Sequence, residues 1–525
     1  MPDHRFLQPW QMRLACGLFL CWLAGSVAAE PSTAVEYAAL VDAALAAAWS
    51  EAGVDPSRAV DDATFLRRAS LDLVGRVPTA AEARRFLDDS DPDKRVKAVD
   101  LLITSGAHAR NMATLWRRSW MPQADTAEFS RISVDFERWI AVRLQEQTPY
   151  DEIVRELLTI PLELGDQASF SGNIAVSPVG FYVASEGRVE NLAANATRGF
   201  LGVNLDCAQC HDHPHSRWTR DQFWKMAAFF ADPQQAAKGL PIRPAVLIPD
   251  TDREVSAELV DGTPLQWPSD IEPTTGRRLL AAWLTAPTNP FFARNAVNRV
   301  WAHLFGRGLV EPLDDLSSAA SNTGFQADLL AAVADRFARS GYDLAALMRG
   351  LASTRLYQLA PPDEADPPAD RALFSSMPMR GLTGEQLYDS LRTAAGLPPE
   401  RDDTGRGRGL DDRKRFASQF RVQRPGSAER SITQALAIMN GPLTANLADP
   451  DNNATIAAVA GSPFLEPDAR IEALFLAVLG RKPTADQASA LLEFVSSRTA
   501  DTTPAHAYAD IFWALVNSSE FNTNH

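Results

Sequence analysis

The sequence predicts a mainly α-helical protein, with two helical halves joined by a Pro-rich segment that carries minor β structure. Apolar residues recur at helical spacing over most of the chain, as at Tyr37, Leu40 and Val41, which places them on one helix face. Capping boxes, such as TAAE at residues 79–82, mark helix starts. Short β-branched runs are concentrated in residues 239–272, so any sheet there should be small.

The length of 525 residues exceeds what one hydrophobic core usually serves, so we expect more than one domain. The predicted divisions are a signal peptide over 1–29, a helical domain over 34–235, a linker or small β excursion over 236–275, and a second helical domain over 276–525. Helical periodicity and start signals in the first domain predict helices that begin near residues 34, 61, 79 and 91, a helix over 189–203, and a helix that begins at the capping box TRDQ, residues 219–222.

Two strands are expected in the linker, over residues 245–248 and 254–260. The same helical patterns predict eight helices in the second domain, over 276–284, 290–305, 325–340, 344–355, 431–439, 468–479, 486–495 and 505–518. A Gly/Arg-rich stretch over 406–424 carries seven basic residues, and its composition favours a solvated loop over a site that docks an anion.

The composition is that of a soluble globular protein, with 46% hydrophobic residues, 22% charged residues and a formal charge of −15. Nucleic acid and anionic membranes repel an acidic chain, so we expect neither as a partner. A cationic redox partner protein would suit this charge, although acidic surfaces also serve solubility.

The N-terminus has the features of a secretory signal. Arg5 and Arg13 form a basic region, the apolar run LACGLFLCWLA spans residues 14–24, and Val27-Ala28-Ala29 supplies small residues for cleavage before Glu30. The apolar run is short for a membrane span, so we expect a periplasmic or secreted protein without an integral membrane span. After cleavage, its only thiols would be Cys207 and Cys210.

The strongest chemical signal is CAQCH at residues 207–211, because Cys-x-x-Cys-His is the attachment signature of c-type haem. Two thiols three residues apart on one helical turn can each form a thioether with a haem vinyl group. The next residue then presents an imidazole to the iron. We therefore predict covalent haem c at Cys207 and Cys210, with His211 as the proximal ligand.

Other interpretations of the same cluster stay open. His213 and His215 follow His211 closely, so the mixed thiolate and imidazole ligands would also suit zinc or another transition metal, with Asp212 orienting a ligand. In an oxidising compartment, the two cysteines would alternatively form a disulfide. The remaining interpretation is that these residues are ordinary polar residues at the end of a helix and form no binding site.

A sixth iron ligand would have to come from elsewhere in the chain. His303 is the candidate, because the predicted helix around it carries Val300, Trp301 and Leu304 on an apolar face that could cover a haem. A helix-end histidine near Gly306 is the competing interpretation. Met226 has a ligand's chemistry, but its Phe-lined helical stripe favours a place in the core.

Several segments carry a family resemblance. FLRRASLDLVG at 65–75, FLGV at 200–203 followed by CAQCHDHP, and VNRVWAHLFGRGLV at 297–310 resemble the paired domains of unknown function typical of planctomycetes. The resemblance covers nearly the whole mature chain and implies no assigned activity. Relatives often carry an additional N-terminal cytochrome c-like module, whereas this chain is expected to enter the family domain directly from Ala34.

These observations predict an exported c-type haem protein that acts in electron transfer or an undefined oxidation. If the protein is an enzyme, we expect a haem-dependent oxidoreductase. The first alternative is a non-haem, zinc-like metal protein with hydrolytic activity, and the second is a structural interaction protein of the cell envelope. An electron carrier alone needs far fewer residues than this chain has, so the helical scaffold should serve a bound substrate or several partners.

Overall fold

The computed structural model describes residues 31–125, 129–161, 176–214, 216–234, 243–317, 323–362, 372–398, 408–420, 431–498 and 503–525. The predicted signal peptide over residues 1–29 lies outside them. The structure is mainly α-helical with minor β structure, which confirms the predicted fold class. Of the helices in the described ranges, none combines the length and apolar character that crossing a membrane requires.

The α-helices of the first half are, in chain order, α1 Pro31–Ala52, α2 Asp62–Ala69, α3 Ala80–Asp88, α4 Lys94–Ile103, α5 Gly106–Trp120, α6 Ser130–Gln145, α7 Tyr150–Thr159, α8 Val179–Ala184, α9 Val189–Ala196 and α10 Arg220–Ala227. Two π-helices extend α2 and α9, over Ser70–Val74 and Thr197–Leu201. Short 3-10 turns lie at Pro122–Asp125, Asp206–Gln209 and Ala228–Phe230.

The α-helices that follow are α11 Thr275–Leu284, α12 Phe292–Phe305, α13 Phe325–Arg339, α14 Leu344–Ala352, α15 Gly384–Ala394, α16 Arg408–Gln419, α17 Ile432–Asn440, α18 Pro442–Leu447, α19 Ala454–Gly461, α20 Pro467–Val478, α21 Ala485–Arg498, α22 Pro504–Val516 and α23 Ser519–Asn522. Single 3-10 turns lie at Leu356–Gln358 and Pro450–Asn452.

Two small antiparallel sheets complete the described structure. The strands β1 Pro233–Gln234, β2 Arg243–Leu247 and β3 Glu254–Ser256 form a three-stranded sheet in that order, with Val246 opposite Val255. β2 and β3 lie in the predicted linker, whereas β1 lies just before it, at the end of the predicted first helical domain. The other sheet pairs β4 Arg380–Gly381 with β5 Thr523–Asn524 and so ties the end of the chain to its interior.

Capping boxes start helices where the sequence predicted them. The Thr79 hydroxyl accepts the backbone N–H of Glu82 at 3.2 Å, and the Glu82 carboxylate accepts the backbone N–H of Thr79 at 2.8 Å. Thr219 and Gln222 repeat the arrangement at the start of α10. Local sequence therefore sets where these helices begin.

Buried apolar residues form two cores. The larger core draws on both predicted helical domains, from Tyr37 to Met377, together with Leu476. The second draws on Leu382 to Phe521, together with Leu71 and Val77 from the first half. The extent of a hydrophobic core does not establish where a domain begins or ends. The predicted domain boundaries at residues 235 and 276 therefore stay a prediction.

A buried carboxylate links these segments. Asp72 lies in the π-helix Ser70–Val74 and is 1% exposed. One Arg380 Nη atom donates to both of its carboxylate oxygens, at 2.9 and 3.0 Å. The Tyr357 hydroxyl and the Asn524 amide also donate to it, at 2.9 and 2.8 Å. We call Asp72 and these three donors the Asp72 junction.

Replacing Asp72 with alanine should lower the free energy of unfolding by about 3–5 kcal/mol, because the Arg380 guanidinium would remain buried without its carboxylate. Urea unfolding followed by circular dichroism measures this. The matched control is Asp335→Ala, which removes an exposed carboxylate paired with Arg339 and should cost less than about 1 kcal/mol. Equal effects of the two substitutions would contradict a stabilising role for the junction.

Candidate functional site

The helix that leads into the cysteine motif differs from the predicted continuous helix over 189–203. α9 changes into the π-helix Thr197–Leu201, and Gly202 ends it in the left-handed conformation, with φ 62°. A Cβ atom on Gly202 would lie 2.9 Å from Asn295 Oδ1 and 3.0 Å from Leu316 Cγ. Glycine is therefore required here by conformation and by space.

Helix α12 holds this π-helix in place. The Asn295 side-chain amide donates to the Gly199 carbonyl at 2.7 Å, and one Arg299 Nη atom donates to the Arg198 carbonyl at 2.9 Å. The Arg198 carbonyl also accepts the backbone N–H of Gly202 at 3.2 Å, so Arg299 is its second donor, whereas Asn295 provides a partner for the Gly199 carbonyl near the helix end. The π-helix that precedes the cysteine motif is thereby held in place by a helix from the second half of the chain.

The cysteines themselves lie on a 3-10 turn, Asp206–Gln209, and its flank, which corrects the expectation of an α-helical turn. Ala208 is fully buried between them and anchors the turn. The Trp224 indole donates to the Gln209 carbonyl at 3.1 Å. Both Cys207 and Cys210 are free thiols with exposed side chains. The turn is therefore held by a buried alanine, while the two thiols beside it lie at the surface.

His211 follows directly, and its imidazole is exposed. Its Nδ1 lies 2.8 Å from the backbone carbonyl of Asp212. Because a carbonyl can only accept, Nδ1 carries a proton in this hydrogen bond, and Nε2 is the ring nitrogen that is left to bind a metal. A metal-ligating histidine has this same arrangement, with its other nitrogen donating to a carbonyl.

Asp212 orients His211 through its backbone, while its carboxylate has a different partner. That carboxylate accepts the backbone N–H of Arg220 at 2.9 Å, at the first residue of α10. An acidic group at a helix N-terminus is stabilised by the helix dipole. The loop that carries His211 is therefore fastened to α10.

The other predicted metal ligands are less well defined. The backbone N–H of His213 donates to the Trp218 carbonyl at 2.8 Å, and its side chain is half-buried. His215 lies outside the described residues. Among the residues that are described, no group of three or more His, Cys, Asp or Glu side chains is arranged to hold a metal ion. The zinc alternative therefore depends on His215 and stays a prediction.

His303 lies in α12 and is joined to the Asp72 junction. Its Nε2 donates to the Asp72 carbonyl at 2.7 Å, and its own carbonyl accepts from Arg380 at 2.6 Å. Burial lowers the pKa of His303, so the ring is neutral with its proton on Nε2. That nitrogen is engaged in a structural hydrogen bond, and a distal ligand role for His303 stays a prediction.

Met226 and a histidine of the first half, His108, lie in the protein interior. Met226 is 1% exposed and belongs to the larger core. His108, in α5, donates from Nδ1 to the Leu73 carbonyl at 2.9 Å. Burial, with a smaller contribution from the nearby His303, lowers its pKa to about 4. Sequence spacing gave no signal for this pairing of His108 and His303 around one π-helix.

Comparison with known protein families gives two matches, in the order that the sequence motifs predicted. Residues 40–235 match the family model described as PSCyt2, protein of unknown function (DUF1549). Residues 276–408 match the one described as PSD1, protein of unknown function (DUF1553). Together they cover more than half of the chain and confirm the resemblance. Comparisons with curated proteins and with solved structures gave no match.

Replacing His108 with asparagine should make stability less sensitive to acid. Unfolded, the histidine binds a proton below about pH 6.5, whereas the folded protein, with a His108 pKa of about 4, does not. Stability is therefore lost as pH falls from 6.5 towards 4, by about 2 kcal/mol at pH 5 from this residue. Asparagine retains a donor for the Leu73 carbonyl without this proton.

The measurement is the free energy of unfolding by urea at pH 7 and pH 5. The decrease between these values should be smaller in His108→Asn than in the unmodified protein. The control is His506→Asn, at an exposed histidine in α22, which should leave the decrease unchanged. An identical decrease in all three proteins would contradict the assignment to His108.

Proposed function

We propose that this chain, which belongs to the family of paired PSCyt2 (DUF1549) and PSD1 (DUF1553) domains, binds haem c covalently through Cys207, Cys210 and His211. After export, it would act in electron transfer or in an oxidation that depends on the haem. The observation that carries the proposal is the His211 ring, whose Nδ1–H donates to a backbone carbonyl and leaves Nε2 able to bind iron.

The thiols support the same proposal. Cys207 and Cys210 are free and exposed, so thioether bonds can form from the outside without opening the core. Buried Ala208 between them and the hydrogen bond from Trp224 hold the backbone while the side chains react. Rigid support for reactive groups is what a covalent attachment site needs.

The residues around the motif would determine what the bound group does. A haem c at this position would supply one-electron redox chemistry, with a potential set by its axial ligands and its exposure. The Asp212 carbonyl keeps the His211 ring oriented and raises the basicity of Nε2. Since the attachment residues lie at the surface, a haem edge would be accessible to a redox partner protein.

A non-haem metal site is the second candidate. The same His211 tautomer suits zinc or another transition metal, and thiolates are zinc ligands as well. His213, two residues on, would be the next ligand, with His215 completing the set. Such a site with an open position would support hydrolysis. A structural interaction protein of the cell envelope would need neither group.

The test of the haem proposal is production with a c-type maturation system, followed by an absorption spectrum and a haem stain of a denaturing gel. The unmodified protein should retain haem on the gel. Cys207→Ala or Cys210→Ala should weaken retention by removing one thioether, and the double substitution should abolish it. His211→Ala should keep the covalent haem and change the spectrum through loss of the axial ligand.

His213→Ala is the matched control, because it lies in the same loop but is not part of the Cys-x-x-Cys-His signature. It should leave both stain and spectrum unchanged. Stoichiometric zinc by elemental analysis, without a haem band, would contradict the haem proposal and favour the second candidate. In that case, His213→Ala and His215→Ala should each lower the zinc content.

Export gives a separate prediction. If the N-terminal segment is a signal peptide cleaved after Val27-Ala28-Ala29, the mature protein should begin near Glu30. Mass spectrometry of the native protein from the periplasmic or secreted fraction measures this. An intact Met1 on protein from the cytosol would rule out export and, with it, haem attachment in an oxidising compartment.

A further inference from the structure

A cavity of about 250 Å³ lies between the two cores, away from the cysteine motif. Helices α5 and α6 form one wall, and α15 and α16 form the other. The first pair contributes to the larger core and the second pair to the smaller one. Ligand sites are common at such boundaries between packed units.

The charge of this cavity is opposite to that of the whole protein. The formal charge of the chain is −15, yet six basic residues line the cavity against two acidic ones. The acidic residues are Glu137 and Asp389. The basic ones are Arg76, Arg110, Arg138, Arg392, Arg413 and Lys414. A concave wall with one sign of charge concentrates ligands of the other sign.

Both acidic residues already have partners. Arg413 donates to the Asp389 carboxylate at 2.7 Å, and the Glu137 carboxylate accepts from the buried Arg117 at 2.8 Å. Within the described residues, Arg110 forms an ion pair with neither of them nor with another carboxylate. Arg76 and Arg138 are paired as well, with Glu82 at 2.8 Å and with Asp135 at 3.0 Å, so the positive charge that these carboxylates leave to a ligand is that of Arg110.

The packing of α16 against α15 determines the position of two of these basic residues. A Cβ atom on Gly384, at the start of α15, would lie 2.5 Å from the Cα of Ala417, so α16 packs directly against α15. That contact brings Arg413 and Lys414 to the cavity wall. The sequence-based preference for a solvated loop is therefore wrong for these two residues, which lie on a helix.

The rest of the lining is partly apolar, beside the polar Asn111, Thr114 and Thr393. Val74, Ala107, Val134, Ala141 and Leu397 contribute to the walls. A cavity of roughly 150 Å³ is large enough for benzene. The cavity of about 250 Å³ therefore has room for a small ring together with a charged group.

We propose that this cavity binds a small organic oxyanion, whose carboxylate, sulfate or phosphate group contacts Arg110 and Arg392 while its apolar part lies against Val134 and Leu397. Arginine suits this role because its planar guanidinium donates two parallel hydrogen bonds to an oxyanion. The proposal is independent of the haem, since none of these residues lies in the cysteine motif.

The test is isothermal titration calorimetry of the full mature chain with benzoate, phenyl sulfate and phenyl phosphate, which share a ring and differ in the oxyanion. Uncharged benzamide is the matched ligand control. At least one anion should bind with a stoichiometry near one and more tightly than benzamide. The tightest of the three identifies the oxyanion class.

The variants are Arg110→Gln and Arg392→Gln, and each should weaken binding of that anion by about tenfold or more. Arg110 is exposed, so its substitution should not prevent folding. The control is Arg84→Gln, at an exposed arginine of α3 outside the cavity, which should bind as the unmodified protein does. Circular dichroism verifies that all of them fold.

Three results would overturn the proposal: no binding of any anion, binding of benzamide as tight as that of the anions, or equal affinities in Arg110→Gln, Arg392→Gln and Arg84→Gln. The absorption spectrum of the same samples separates this outcome from the haem proposal. Arg110→Gln should change anion affinity and leave the spectrum as it is.

Discussion

A buried carboxylate has to be neutralised and hydrogen-bonded by its neighbours, and Asp72 imposes this requirement on distant parts of the chain. Removing its charge from water costs several kcal/mol unless partners replace the lost hydration. Those partners are Arg380 on β4, Tyr357 in the turn after α14, and Asn524 on the last strand. The two cores and the C-terminal end are thereby brought to one point.

Helix α12 connects the two family domains of this chain. Asn295 and Arg299 donate to carbonyls of the π-helix that precedes the cysteine motif, and His303 donates to the Asp72 carbonyl in the other π-helix. One helix of the second domain thus adds side-chain donors to carbonyls of both π-helices of the first domain.

The π-helix that carries Asp72 also contributes to the cavity for which we propose oxyanion binding. The turn that carries the cysteines is separate from this cavity. Asn111 lines the cavity and donates to the Asp72 carbonyl at 2.8 Å, and Val74 of the same π-helix lines it as well. Cys207 and Cys210 instead project from a surface turn anchored by Ala208. A rigid interior with chemically active groups at the surface is consistent with both proposals.

Sequence patterns alone predict the mainly helical class, the helix starts at Thr79 and Thr219, and the residue types of the cysteine motif. These features depend on residues within a few positions of one another, so periodicity, capping and spacing reveal them. The packing of distant segments, by contrast, sets the hydrogen bond of His303 to a carbonyl 231 residues away and the place of Arg413 on a cavity wall. Such contacts depend on how helices far apart in the chain pack together, and no local pattern encodes that.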